Sequence, residues 1–276
     1  GGPMYYIKNG LSKKWHWLAY LFAAFGVLTV FGTGNATQVN TITTAINSAL
    51  LNYNVISESA VSTSNLIIGI IIAILIAMIL LGGIKRIGQV AEKLVPFMAV
   101  IYIILAIGVV ILNYRNIPTV FASIFKGAFS PASVTGGAVG SFFMSMKKGV
   151  SRGIFSNEAG LGSAPIAAAA AQTNEPVRQG LVSMTGTFID TIVICTLTGL
   201  SIVITGAWQV DGLEGVAVTT YAFQNGLPIP EEVSAFILMI CLIFFAFTTI
   251  LGWNYYSERC LEYLSGGNMK HVKIFR

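Results

Sequence analysis

Long apolar runs alternate with short polar stretches along this chain, in the pattern of a protein that crosses a membrane several times. About 20 apolar residues span the hydrocarbon core of a bilayer as a helix, and residues 66–84 form the clearest such run. One further segment, residues 140–171, is interrupted by glycines and polar residues. The six predicted transmembrane segments are residues 17–48, 66–84, 94–113, 140–171, 180–207 and 233–256. The pattern predicts an all-α integral membrane protein, with residues 1–276 as a single membrane domain.

The interrupted segment is predicted to be a transmembrane helix broken near its middle. Gly160, Gly162 and Pro165 cannot support an uninterrupted helix. At membrane depth, lipid cannot satisfy the backbone groups that such a break frees, so the break must line a cavity or be covered by protein. Transporters use helices broken in this way to bind their substrates. A linker rich in Gly, Ser and Pro, residues 130–140, is expected to lead into the segment.

Three shorter features complete the predicted layout. Residues 119–129 place apolar side chains at helical spacing but are too few to span, which indicates an interfacial helix. Residues 85–93 are basic and are predicted to form a short loop between two spans. Pro96 is then expected in the first turn of the next segment, where a helix tolerates proline.

The composition agrees with a membrane protein and argues against several other classes. The chain is 55% hydrophobic and 10% charged, whereas soluble domains carry about 25% charged residues. The three cysteines, Cys195, Cys241 and Cys260, show no paired spacing, so neither a disulfide framework nor a metal site is predicted. The net charge of +5 does not indicate nucleic-acid binding, because the loops explain it. Residue 1 is Gly, and we expect the chain to be part of a longer one.

The distribution of positive charge predicts the orientation in the membrane. When successive loops are assigned alternately to the two sides, one side receives most of the lysines and arginines. These are Lys8, Lys13, Lys14, Lys85, Arg86, Lys93, Arg178, Arg259, Lys270, Lys273 and Arg276. Cytoplasmic loops carry such an excess, so the N-terminus and the C-terminal tail of this chain are expected in the cytoplasm. The expected location is the plasma (inner) membrane.

Asn157 and Glu158 are the first candidates for binding chemistry, because they lie within the predicted break. A carboxamide offers donors and an acceptor to the carboxylate or ammonium group of a zwitterion. Free N–H groups around Gly160 would add a positive dipole end for a carboxylate. The alternative is a structural kink in which Asn157 caps the second half-helix. Glu158 is an intramembrane acid with a coupling or a structural role.

Three more polar residues fall inside predicted spans. Asp190 has Thr187 and Thr191 within reach on its own helix, and it either pairs with a cation in a transport path or locks helices together. Thr248 and Thr249 offer hard oxygen ligands for an alkali cation. The alternative for this pair is hydrogen bonding to the backbone of its own helix.

Enzymatic patterns are absent from the sequence or lack their context. Residues 149–153, G-V-S-R-G, match G-x-S-x-G formally, but a strand–turn–helix context is missing. Both histidines, His16 and His271, lie in the flanks of the spans. The chain shows no nucleotide-binding P-loop pattern. We therefore predict no catalytic residues, no cofactor, and no bound metal beyond a transported cation.

Several motifs resemble those of the alanine or glycine:cation symporter (AGCS) family of sodium:alanine symporters. The most specific is G-V-S-R-G-I-F-S-N-E-A-G-L-G-S-A-P at residues 149–165. G-G-P-M-Y-Y-I at residue 1, G-T-G-N-A-T-Q-V-N at residue 32 and G-T-F-I-D-T-I-V-I-C-T at residue 186 agree in order. The resemblance covers nearly the whole chain.

This resemblance implies a partial LeuT-like fold of the APC superfamily, built from inverted repeats. The chain would hold the third to eighth transmembrane helices and lack the first two and the last. The implied substrate-binding residues are Asn157, Phe155, Ser156, Gly160 and Trp253. Thr248 and Thr249 would lie where related transporters bind sodium.

The implied function is secondary active transport by alternating access. A sodium or proton gradient would drive symport of alanine, glycine or a similar small neutral amino acid. The expected partners are this amino acid, the sodium ion and the lipid bilayer, with no nucleic acid. A non-transporting membrane scaffold or assembly subunit is the alternative.

Overall fold

A computed structural model describes residues 1–129 and 138–276, and this part of the chain is helical and contains no strand. The α-helices are α1 Pro3–Gly10, α2 His16–Leu28, α3 Thr37–Asn52, α4 Val61–Leu80, α5 Gly83–Leu112, α6 Ile117–Phe129, α7 Ala138–Phe155, α8 Glu158–Leu161, α9 Ala164–Ala168, α10 Pro176–Thr187, α11 Cys195–Ile204, α12 Val216–Gly226, α13 Glu231–Leu264 and α14 Met269–Phe275. The predicted all-α class is confirmed.

Five helical stretches in the described residues are long and apolar enough to cross a membrane. They are Lys13–Leu51, Glu58–Leu80, Gly83–Leu112, Pro176–Ile204 and Glu231–Leu264. Each corresponds to one of the continuous segments predicted from the sequence. The protein is therefore a multi-pass membrane protein.

Two of these stretches contain a π-helical turn between two α-helices. Gly32–Ala36 joins α2 to α3, and Phe188–Ile194 joins α10 to α11. A π-helical turn carries one more residue per hydrogen-bonded ring than an α-helix and is often found at functional sites. Each therefore marks a position where a straight membrane helix is interrupted.

The basic loop predicted at residues 85–93 is not present. These residues are the first part of α5, which follows α4 after a turn at Leu81 and Gly82. Lys, Arg, Gln, Ala and Glu are good helix formers, so this polar stretch continues as helix outside the apolar part. Pro96 consequently lies inside α5 and not in its first turn. Of the predicted linker, residues 130–137 lie outside the described residues, and α7 begins at Ala138.

The described chain divides into two compact units. Unit 1 comprises residues 1–102, 165–170 and 229–276, and unit 2 comprises residues 103–164 and 171–228. The break after α7 belongs to unit 2. The threonine pair and Trp253 belong to unit 1.

In unit 1, α13 packs against α2 and the adjoining π-helical turn through small residues. The Ser257 hydroxyl donates to the Gly26 carbonyl at 2.8 Å. A Cβ on Gly26 would lie 2.5 Å from the Cys260 sulfur. A Cβ on Gly34 would lie 2.5 Å from the Cβ of Trp253. Small residues allow such close approach between membrane helices, so these glycines set the packing of α13.

A polar cluster joins α3 to α4 within unit 1. The Asn47 amide donates to the Asn65 side-chain oxygen at 2.6 Å, and the Ser64 hydroxyl donates to the Asn47 oxygen at 2.6 Å. Asn47 is buried. Side-chain hydrogen bonds of this kind connect helices in a membrane, where apolar contact alone gives little preference for protein over lipid.

Candidate functional site

The predicted break lies between α7 and α8, at Ser156 and Asn157. Asn157 has an extended backbone and caps α8. Its side-chain oxygen accepts hydrogen bonds from the backbone N–H groups of Ala159 at 3.0 Å and Gly160 at 3.1 Å. An N-cap of this type supplies the acceptor that the first N–H groups of a helix lack. The capping alternative is therefore present in the structure.

The other end of the Asn157 amide is also held. Its nitrogen donates to the Thr191 hydroxyl oxygen at 2.7 Å. The amide oxygen faces N–H donors and the amide nitrogen faces an acceptor, so the two ends are not interchangeable. The carboxamide is half-buried. Asn157 is thus a polar group held in place at the break. The bond to Thr191 uses one of its two amide hydrogens, and these contacts do not use the second.

Ser156 connects the same break to the π-helical turn Phe188–Ile194. Its hydroxyl donates to an Asp190 carboxylate oxygen at 2.8 Å and lies 3.3 Å from the Thr191 hydroxyl. The Cys195 sulfur lies 3.4 Å from the Ser156 oxygen. Two consecutive residues of the break therefore pair with two consecutive residues of the π-helical turn. We call Ser156, Asn157, Asp190 and Thr191 the break cluster.

Asp190 has hydroxyl partners on both sides. Besides Ser156, the Thr191 hydroxyl donates to the same carboxylate oxygen at 3.4 Å. Thr187 was also expected within reach of Asp190, but its hydroxyl donates to the Ser183 carbonyl at 3.3 Å. In the described part of the chain, Asp190 takes part in no salt bridge. Its carboxylate joins the two segments through hydrogen bonds to hydroxyl groups.

Glu158 closes the short turn after α8. Its carboxylate accepts a hydrogen bond from the Ser163 hydroxyl, and its backbone carbonyl accepts from the Ser163 N–H at 3.2 Å. Gly162 ends α8 in the left-handed conformation, with φ of 75°, which glycine adopts without steric penalty. The contacts of Glu158 are thus local, within the broken segment.

Gly160 and Phe155 occupy different environments at the break. A Cβ on Gly160 would lie 2.3 Å from the carbonyl oxygen of Ile154, so α8 folds back on the end of α7 only with glycine there. Phe155 is the last residue of α7 and is 49% exposed. An exposed aromatic ring beside a fixed amide can cover the apolar part of a small ligand.

In unit 1, the hydroxyls of Thr248 and Thr249 both donate to their own helix. Thr248 donates to the carbonyl of Phe244 at 2.9 Å, and Thr249 donates to the carbonyl of Phe245 at 2.8 Å. This is the back-bonded arrangement that was one of the two alternatives for the pair. Donation uses the hydroxyl hydrogens, so the oxygen lone pairs remain as possible cation ligands.

Trp253 lies on the same helix and is buried. It packs on the π-helical turn through Gly34, and its ring contacts that of Tyr256 edge to face at 5.7 Å between centroids. The tryptophan is therefore a packing residue within unit 1. The structure brings together Ser156, Asn157 and Asp190 in one unit and holds Thr248, Thr249 and Trp253 in the other.

Sequence reasoning missed the contact between Asn157 and Thr191. Thr191 was noted only as a neighbour of Asp190, because spacing along one helix cannot show a contact between two segments. The available signal was indirect: both residues sit beside positions that interrupt regular helix.

Among the described residues, no group of three His, Cys, Asp or Glu side chains could hold a metal ion.

Comparison with known proteins places the whole chain in one group. Residues 1–276 match the model of the sodium:alanine symporter family. An uncharacterized transporter of Haemophilus influenzae is 50% identical over 278 residues, which cover 100% of this chain and 57% of the relative. The sodium/alanine symporter AgcS of Methanococcus maripaludis is 44% identical over 283 residues, covering 100% of this chain and 58% of that protein.

The name of a third relative gives a different substrate. The probable sodium/glutamine symporter GlnT of Bacillus subtilis is 39% identical over 276 residues, which cover 100% of this chain and 54% of that protein. The chain therefore spans a little more than half the length of these curated relatives.

Proposed function

Because the chain belongs to the sodium:alanine symporter family, we propose that the whole protein couples the movement of sodium to the uptake of a small neutral amino acid. The relatives support a sodium-coupled amino-acid carrier, since two of them are named as sodium symporters of alanine and of glutamine.

The family itself was identified correctly from the sequence motifs. The exclusion of an enzyme is likewise confirmed, because the family is one of symporters.

The break cluster is the observation that carries this proposal. A polar, hydrogen-bonded interruption in a membrane helix supplies groups that can replace the water around a zwitterion. The Asn157 amide has a second hydrogen for a substrate carboxylate, and Phe155 can cover a small side chain. Ser156 and Gly160 are proposed as further substrate-binding residues of the break. This assignment favours alanine and glycine over larger amino acids.

Coupling requires that the cation and the amino acid both favour the same conformational state. Thr248 and Thr249 are proposed as cation ligands through their oxygen lone pairs. Asp190 is proposed as a coupling acid, because its partners are hydroxyls and it has no salt bridge in the described residues. Glu158 is assigned the structural role, since its partners lie within its own turn. Sodium is the coupling cation in the names of two relatives, and it is proposed as the coupling cation here.

The broken segment and the helical stretches also support a LeuT-like arrangement for the whole protein. In that fold, a discontinuous helix contributes to a central site between inverted repeats. We further place the protein in the plasma (inner) membrane with the basic side of the spans in the cytoplasm. The scaffold alternative is not favoured, because the chain matches a family of symporters over its whole length.

Uptake by the purified whole protein in liposomes tests the proposal. Labelled alanine should accumulate when sodium is high outside and should not accumulate when potassium replaces it. Unlabelled glycine should compete strongly and glutamine weakly. The Asn157→Ala variant should lose uptake while remaining folded. Sodium-independent uptake, or near-normal uptake by Asn157→Ala, would contradict the coupling and the site respectively.

A further inference from the structure

Three tyrosine rings from α1, α2 and α13 pack together in unit 1. The Tyr5 ring meets the Tyr263 ring edge to face, with centroids 5.1 Å apart. The Tyr20 ring lies 5.5 Å from the Tyr263 ring, again between centroids. Met4 of α1 is fully buried in the same apolar core as Tyr263, so α1 is held in place beside these rings. We call Tyr5, Tyr20 and Tyr263 the tyrosine cluster.

The tyrosine cluster lies where two membrane-crossing stretches end. Ser257 of α13 bonds to Gly26 of α2. Tyr263, six residues further along α13, contacts Tyr20, which is six residues earlier in α2. The two helices are therefore antiparallel, and α13 ends just after the cluster. The stretch that contains α2 begins at Lys13. The cluster is thus at the level where both stretches leave the membrane.

Exposed indole rings adjoin the cluster in the sequence. Trp15 and Trp17 flank the first residue of α2, and each is about half exposed. Tryptophan and tyrosine are enriched at the surface of a bilayer, because each joins a large apolar ring to one polar group. This end of unit 1 therefore has the composition of a surface that contacts lipid headgroups.

Three lysines at this end take part in no salt bridge among the described residues. The Lys8 Nζ lies 5.9 Å from the centre of the Tyr263 ring, a cation–π contact. Lys13 and Lys14 follow in the turn between α1 and α2 and are exposed. Both acids in the last two turns of α13 are already paired with arginines. Described carboxylates therefore leave this positive charge without a neutralising partner.

The Tyr263 hydroxyl is a second group that lacks a partner. Tyr263 is 9% exposed, and within the described residues its hydroxyl is buried without a hydrogen bond. Buried tyrosine hydroxyls usually have a partner, because an unmade hydrogen bond is unfavourable there. Tyr5 and Lys8, which contact this ring, are exposed, so an acceptor can approach from the surface of unit 1. A phosphate oxygen is an acceptor that also neutralises the lysine.

We propose that the tyrosine cluster, with Lys8, Lys13 and Lys14, binds the headgroup of an anionic phospholipid. The phosphate diester accepts hydrogen bonds from the Tyr263 hydroxyl and the Lys8 ammonium group. Lys13 and Lys14 attract the net negative charge of the headgroup. The anion belongs to a lipid and not to a soluble molecule, because the aromatic residues place the site at the bilayer surface. The site uses residues of unit 1 alone and does not depend on the transported solute.

Lipid titration of the purified whole protein in detergent tests the site. Phosphatidylglycerol and zwitterionic phosphatidylcholine are added separately, and bound lipid is counted by native mass spectrometry. The parent should bind phosphatidylglycerol at least about fivefold more tightly, the factor expected from one lysine near an anionic surface. Equal affinities would overturn the proposal. Millimolar inorganic phosphate should not displace the lipid, and displacement would show a site for a free anion instead.

Lys8→Gln removes the charge above the Tyr263 ring. It should weaken phosphatidylglycerol binding by about fivefold and leave phosphatidylcholine binding unchanged. Lys85→Gln is the matched control, because Lys85 is exposed in the first turn of α5 and makes no cation–π contact in the described part of the chain. Equal weakening by the two variants would mean that the lipid responds only to net charge, which would overturn the site.

Tyr263→Phe separates a lipid partner for the hydroxyl from a partner elsewhere in the protein. The variant keeps the ring and its contact with Lys8. Phosphatidylglycerol binding should weaken by about threefold to tenfold, as expected for one lost hydrogen bond. The unfolding midpoint without lipid should stay the same, because no described residue bonds to the hydroxyl. A lower midpoint without lipid, or unchanged lipid binding, would overturn the proposal.

Discussion

The amide nitrogen of Asn157 lies 2.7 Å from the hydroxyl oxygen of Thr191, a residue 34 positions further along the chain. This hydrogen bond joins the broken helix to the π-helical turn Phe188–Ile194 and sets the direction of the amide. The proposed substrate-binding group is therefore oriented by a residue outside its own segment.

Thr191→Val should weaken amino-acid binding while preserving the fold. Valine has nearly the same shape as threonine but can neither accept from the Asn157 amide nor donate the longer 3.4 Å bond to Asp190. Loss of the shorter bond alone costs about 0.5–1.5 kcal/mol. We expect KM for alanine to rise by about threefold to tenfold, with kcat less affected. Thr187→Val is the control, because the Thr187 hydroxyl donates only to the Ser183 carbonyl of its own helix. Equal KM values for the two variants would exclude an orienting role for Thr191.

Asp190→Asn should separate the charge of this residue from its hydrogen bond. An asparagine oxygen can still accept from the Ser156 hydroxyl, so the junction between the break and the π-helical turn should be retained. If the charge attracts the coupling cation, the sodium concentration for half-maximal uptake should rise by about tenfold or more. Ser156→Ala is the complementary variant, since it removes the bond and keeps the charge. A sodium dependence that changes only in Ser156→Ala would assign Asp190 a locking role instead.

Gly160→Ala should destabilise the protein and reduce uptake. The added methyl would approach the Ile154 carbonyl oxygen to 2.3 Å, so α8 would have to move away from the end of α7. Overpacking of this kind costs about 1–3 kcal/mol. Gly153→Ala is the control, because no described atom outside its own stretch of helix lies within 4 Å of the added Cβ. Thermal unfolding in detergent should show a lower midpoint for the first variant alone.

Sequence patterns predicted the helices and the break, but not the contacts that give the break its geometry. Gly160, Gly162 and Pro165 mark the interruption because glycine and proline act on the local backbone. The pairing of Asn157 with Thr191 depends on tertiary packing, which spacing along one helix does not contain. The error at residues 85–93 has a different origin. Charged residues just outside an apolar run are compatible with either a loop or a continuing helix.

Gly34→Ala should disturb the packing of α13 in unit 1. Its Cβ would lie 2.5 Å from the Cβ of Trp253, which is buried and cannot easily move. We expect a loss of stability of about 1–3 kcal/mol, seen as a lower unfolding midpoint. Gly32→Ala, in the same π-helical turn, should be tolerated, because among the described residues no atom beyond its own helical stretch comes within 4 Å of the added methyl. Equal midpoints would mean that α13 can shift to accept the methyl.

Thr249→Val tests whether the threonine pair binds the cation or only bonds to its own helix. Its hydroxyl donates to the Phe245 carbonyl at 2.8 Å, a bond that contributes little to helix stability. Removing the oxygen should therefore leave the unfolding midpoint nearly unchanged. A lost cation ligand should raise the sodium concentration for half-maximal uptake by about fivefold or more. Thr249→Ser keeps the oxygen and should behave like the parent, which distinguishes ligand loss from a change in shape. Parent-like sodium dependence in Thr249→Val would leave backbone bonding as the role of this hydroxyl.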